Sequence, residues 1–234
     1  MICEYIRERL YALSDTEYKT FNSGLIPTVP PETVTGVRTP ALRALAKEIA
    51  ARSDCGEFLS ELPHGLFEEN QLHAFIISLQ KDFGEALRLT ELFVPYIDNW
   101  ATCDQLTVKV FAKHTDELLP NVERWICSPH TYTVRYALRC LMMYYLDEEF
   151  DEKYLALAAS AENTDYYIGM AQAWYFATAL AKHWDETLPW IESRRLDLFV
   201  HRMTIRKATE SFRVSDEHKQ ILKALRAHPN DPKK

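Results

Sequence analysis

Apolar residues recur at helical spacing along almost the whole chain, and strict apolar–polar alternation is nearly absent. Ile2, Ile6, Leu10 and Leu13 fall on one face of a first amphipathic helix, 2–13, which closes near Ser14-Asp15. The segment from Pro27 to Pro40 holds four prolines and Gly36 and is the one long irregular stretch. Thr39 then reads as an N-cap with Pro40 at the first helical position. That start leads into 41–52, with Leu42, Leu45, Ala46 and Ile49 on one face. Further helices are predicted near 66–80, 83–96, 101–113, 115–127, 131–146, 150–160, 165–182, 185–193, 197–211 and 215–227.

Helices joined by short polar breaks, with no convincing strand, predict antiparallel helix pairs. The pairs 83–113, 115–146, 150–182 and 185–211 have similar lengths, near those of helical repeats. An all-α solenoid of five or six pairs, an α-α superhelix, fits best, and an irregular multi-helix bundle is the alternative. Only 6 Gly are present, which agrees with helices rather than a sheet protein full of tight turns. No shift of composition marks a boundary, so residues 1–234 are expected to form a single domain, with a disordered tail over about 228–234.

Composition narrows the class further. Hydrophobic residues make up 47% and charged residues 26%, the balance of a globular chain with a sizeable core. No apolar run approaches the roughly 20 residues that span a bilayer, and the N-terminus lacks the apolar region of a signal peptide. A cytoplasmic protein, at the nucleoid when acting and without membrane contact, is therefore expected. The 5 cysteines (Cys3, Cys55, Cys103, Cys127 and Cys140) form no C-x-x-C pair and read as free thiols, most of them filling the core, with Cys103 a remote candidate for a reactive one. The 8 His lack the spacing of a metal site. A net charge of −7 argues against nucleic-acid binding on average, but 194–213 gathers Arg194, Arg195, Arg202, Arg206, Lys207 and Arg213 against Asp197 and Glu210. That strip is either a solvated helix face or a phosphate-contacting one.

The sharpest chemistry lies in Asn99-Trp100-Ala101-Thr102-Cys103-Asp104, where Trp100 and Asp104 sit four residues apart on one helical face. Arg135 and Trp174 follow at intervals of 35 and 39 residues. Helical repeats place equivalent positions on a common face, so the four could line one groove suited to a cationic or polyanionic ligand. Each also has a plainer reading. A Trp in a helical repeat is usually core, an Asp in a first turn favours the helix dipole, and an Arg can pair with an acidic neighbour. Trp125, Trp184 and Trp190 lack such companions and read as core.

Four segments carry a resemblance. They are Gly36-Val37-Arg38-Thr39-Pro40 with Leu42-Arg43, Asp98-Asn99-Trp100 through Asp104, Val134-Arg135-Tyr136-Ala137, and Tyr166-Tyr167-Ile168 through Ala173-Trp174. In this order and spacing the chain resembles the AlkD family of DNA alkylation-repair glycosylases, which are built from HEAT-like repeats. The resemblance implies a cleft Trp at Trp100, a catalytic carboxylate at Asp104, a cleft Arg at Arg135 and a second aromatic wall at Trp174. It implies a cofactor-free monomer that excises cationic N-alkylated purines, such as 3-methyladenine and 7-methylguanine, from duplex DNA without flipping the base. Arg139, Arg202, Arg206, Lys207 and Arg213 are the expected DNA-binding cations. No lesion-facing aromatic is carried over from before Gly36, where Tyr18 and Phe21 are only candidates. A non-catalytic helical-repeat module that binds DNA structures or a protein partner through the same face is the alternative function, and a protein-only scaffold is the third.

Overall fold

The computed structural model describes residues 1–162 and 165–226, and among them the chain is all-helical. The expected tail over 228–234 lies outside the described residues. No described helix is long and apolar enough to cross a membrane. The chain divides into two compact units, Met1–His114 and a second beginning at Thr115.

The first unit contains α1 (Ile2–Ala12), α2 (Thr16–Leu25), α3 (Thr39–Ala50), α4 (Cys55–Ser60), α5 (Phe67–Ser78), α6 (Phe83–Phe93) and α7 (Trp100–Gln105). The second contains α8 (Thr115–Ile126), α9 (Thr131–Tyr144), α10 (Lys153–Ala159), α11 (Tyr166–Lys182), α12 (Trp184–Glu192), α13 (Leu198–Glu210) and α14 (Asp216–Leu225). Helices two apart in the chain pack side by side. α3 meets α5 and α5 meets α7, while α9 meets α11 and α11 meets α13. The intervening helices back them: α8 lies on α9, α10 and α12 on α11, and α14 on α13. This alternation is the packing of a helical-repeat all-α fold.

Several boundaries differ from the sequence pattern. α2 and α4 occupy segments that carry no visible apolar stripe. The long helix expected over 101–113 stops at Gln105, because Leu106 turns to extended backbone (ψ 96°), and a 3-10 turn over Lys109–Lys113 follows. The N-cap of α3 is Arg38, which places Thr39 and Pro40 inside the first turn. Leu42, Leu45, Ala46 and Ile49 of α3 are buried, as their spacing predicts.

α5 organises the first unit. Every residue from Phe67 to Ile77 is buried, polar ones included, because helices pack around it. Each buried polar group therefore needs a partner. Glu69, at the third helical position, accepts the Gly65 and Leu66 amides at 3.1 and 3.0 Å and Arg7 Nε at 2.7 Å. Gln71 Nε2 donates to Thr102 Oγ1 at 3.2 Å and so ties α5 to α7.

His73 is stacked on Phe93 with centroids 4.1 Å apart, and its Nδ1 lies 2.8 Å from His64 Nε2. Burial holds both imidazoles neutral: it lowers the His64 pKa to about 4 and the His73 pKa well below the usual range. The unfolded chain takes up these protons near pH 6.5 and the folded chain does not, so stability is fully present above pH 6.5. It falls as the pH drops from 6.5 to about 4. The loss from His64 alone is on the order of 3 kcal/mol. Urea unfolding between pH 7.5 and 4.5 measures this slope. His64→Gln, whose amide can still donate to His73 but does not titrate, is expected to flatten it; an unchanged slope would assign the loss to other groups.

Candidate functional site

α7 is a short helix fixed at both ends of its first turn. The buried Asn99 caps it, its side-chain oxygen accepting the Thr102 amide at 2.8 Å. Thr102 in turn receives the Gln71 bond from α5. Trp100, the first helical residue, is half-buried. Its indole N–H donates to the Leu25 carbonyl at 3.0 Å, and it packs on a cluster of Ile26, Val29, Val34, Phe67 and Ala101. The structural and functional readings of Trp100 are thus compatible, since one side of the ring is anchored and the residue keeps some exposure. Asp104, one turn later and also half-buried, falls on the same helical face. Cys103 beside it is fully buried, which removes it as an accessible nucleophile.

The other expected site residues belong to the second unit. Arg135 on α9 is only 6% exposed, and one Nη–H donates to the Tyr167 carbonyl in the first turn of α11 at 2.9 Å. A guanidinium held this way has little rotamer freedom left to lose on meeting an anion. Arg139, one turn along α9, places its guanidinium 4.9 Å from the ring centre of Trp174 on α11. Trp174 is 36% exposed. It also lines an open cavity of about 420 Å³ together with Thr178, Lys207, Ser211, Arg213 and Glu210.

The basic strip of 194–213 therefore does not line that cavity as a whole. Lys207 and Arg213 line the Trp174 cavity, whereas Arg206 is ion-paired with Glu210 at 3.0 Å and Arg202 lies outside the lining. Arg195 covers Trp190 at 5.1 Å. Trp125 is buried, as expected of a core residue. Trp184 and Trp190 are half-buried instead, Trp184 stacked on His218 at 3.6 Å and Trp190 beside Phe176. In the first unit, Tyr18 lies under the Arg38 guanidinium at 5.0 Å and next to an exposed Phe21. The contact missed from sequence is that of Arg139 with Trp174. Their separation of 35 residues was its signal, the same interval that links Trp100 to Arg135.

Chemically, each unit presents an aromatic face beside polar groups: Trp100 with a carboxylate in the first, and Trp174 with three cations in the second. Among the described residues no three His, Cys, Asp or Glu side chains converge as a metal site. Aromatic faces suit a cationic base and cations suit phosphates, a combination that points to nucleic acid. No curated protein matches the chain. A family model described as DNA alkylation repair enzyme matches residues 6–212, a span that holds Trp100, Asp104, Arg135 and Trp174, and the chain belongs to that family.

Proposed function

We propose that this member of the family is a DNA glycosylase that releases cationic N-alkylated purines from duplex DNA. The observation that carries the reading is α7, which presents an anchored Trp100 and the Asp104 carboxylate on one face of a rigid turn. An N3- or N7-alkylated purine already bears a positive charge, so its glycosidic bond breaks without an acid to protonate the leaving group. The bonding pair of C1′–N leaves with the base, which departs neutral, and the sugar becomes oxocarbenium-like. Asp104 stabilises that charge and orients the water that adds to C1′, with the water's second proton passing to solvent. The products are a free base and an abasic site.

Trp100 contributes cation–π contact to the lesion or deoxyribose, and Trp174 on the second unit offers DNA an aromatic face of its own, on the order of 0.5–2 kcal/mol each. Arg135 takes the flanking phosphate. Arg139, Lys207 and Arg213 extend the cationic contacts around Trp174, and Arg202 and Arg206 contribute at longer range. Extrusion of the base is unnecessary in this scheme, because the lability of the bond comes from the lesion rather than from an enclosing pocket.

Incubation of purified protein with a methylated duplex, followed by chromatography of released base, tests the reading. Free 3-methyladenine or 7-methylguanine is the expected product. Salt-dependent binding to undamaged or branched DNA without any released base would overturn it in favour of a non-catalytic DNA-binding module.

A further inference from the structure

The first unit neutralises its arginines locally. Arg7, Arg9, Arg38, Arg52 and Arg88 each pair with a carboxylate: Glu69 and Glu61, Glu48, Asp15, Asp54 and Glu85 respectively. Arg43 is the exception among the described residues of this unit. Its guanidinium lies 4.3 Å from the ring centre of the buried Phe75, and it forms no ion pair. Lys47, one turn further along α3, and Lys109, just beyond α7, are likewise exposed and outside any ion pair. All three cations line one cavity of about 400 Å³, whose wall also includes Gln105 and Ser78.

Three uncompensated positive charges around one concavity stand out in a chain of net charge −7. Like charges gathered this way repel one another, and an anion seated among them relieves the repulsion. Phe75 lies under the Arg43 guanidinium, whose planar fork suits two parallel hydrogen bonds with a phosphate. Lys47 and Lys109 supply mobile point charges. Gln105 ends α7 and follows Asp104 directly, so the cavity is tied to the helix that carries the proposed catalytic carboxylate.

We propose that this cavity seats backbone phosphates of duplex DNA. The proposal rests on the DNA-binding part of the reading above and is independent of whether base is released. Arg43, Lys47 and Lys109 contact phosphate oxygens and carry no base specificity.

The test compares the full-length protein with K47Q/K109Q by fluorescence anisotropy on an undamaged duplex between 50 and 200 mM salt. Arg43 is kept because it covers Phe75. K81Q/K223Q changes the net charge equally and serves as the control. K47Q/K109Q is expected to lower affinity at least ~10-fold and to reduce the slope of log K against log salt by about 2. The control should shift neither by a comparable amount.

Equal losses in both variants would overturn the proposal in favour of a diffuse charge effect, and unchanged affinity would overturn it outright. Titration with inorganic phosphate separates the remaining source: phosphate binding lost in K47Q/K109Q with duplex affinity intact would make the cavity a small-anion site and refute a DNA seat. A parent protein that binds duplex but releases no base sinks the glycosylase reading while leaving this one standing. A parent that binds no duplex at low salt sinks both.

Discussion

Asp104→Asn is expected to leave duplex binding within about twofold and to cut release of 7-methylguanine by about 10²–10³-fold, the usual loss when one preorganised electrostatic group is removed. The substitution keeps the shape of the side chain and discards its charge. α7 has its own cap in Asn99 and its own tie to α5 through Thr102, and both contacts remain in the variant. What disappears is the negative charge opposite a sugar that becomes positive as C1′–N breaks. Binding should tighten slightly if it changes at all, because a carboxylate near phosphates is repulsive. Single-turnover release from a methylated duplex, read alongside anisotropy, separates the two effects. Full release would remove Asp104 from the mechanism. Parallel loss of binding and release would make it a positioning residue instead.

The helices that declared themselves in the sequence are those with one buried stripe, such as α3 with Leu42, Leu45, Ala46 and Ile49. α2 was illegible because it buries almost nothing: Asn22 is its only buried residue, and a helix exposed on most sides has no stripe to read. α4 has six residues, fewer than two turns, and contains Gly56. The expected helix over 101–113 failed for the opposite reason. Val108 and Phe111 are fully buried, but Val108 is the extended residue that caps a 3-10 segment and Phe111 lies within it, and their apolar spacing imitates an α-helix.

The site divides along the same line. The i, i+4 relation of Trp100 and Asp104 and the 35-residue spacing were readable, because periodicity is a property of the sequence. The burial of Arg135 was not, since it depends on how closely α9 and α11 approach and on the Tyr167 carbonyl that meets it. Nor could the sequence say which cations meet a neighbouring carboxylate and which line a cavity. Arg206 and Lys207 are neighbours in the chain, yet one is tied to Glu210 and the other lines a cavity.

The second large effect falls on a residue with no direct part in the chemistry. Glu68, 0% exposed on α5, accepts the amides of Thr35, Gly36 and Val37 at 2.8, 2.7 and 3.3 Å. Three consecutive amides aimed at one carboxylate pin the segment leading into α3. Gly36 is held there at φ +89°, so close to α2 that a Cβ would lie 2.5 Å from the Asp15 carbonyl oxygen.

Glu68→Gln keeps the volume but turns an NH₂ toward amides that themselves donate. It is expected to destabilise the first unit by about 3–5 kcal/mol, since buried donors lose a charged acceptor. That is a large part of an ordinary folding free energy, and it corresponds to a fall in Tm of roughly 6–20 °C. Thermal melting monitored by circular dichroism measures it; a Tm within ~2 °C of the parent would mean that the amides find other acceptors. The consequence for function runs through Val34, adjacent to the pinned amides and a member of the cluster on which Trp100 packs. Loosening the segment unseats the indole before the unit melts. Base release by Glu68→Gln should therefore decline at temperatures where its helical signal is still intact, which Asp104→Asn, with its fold undisturbed, should not imitate.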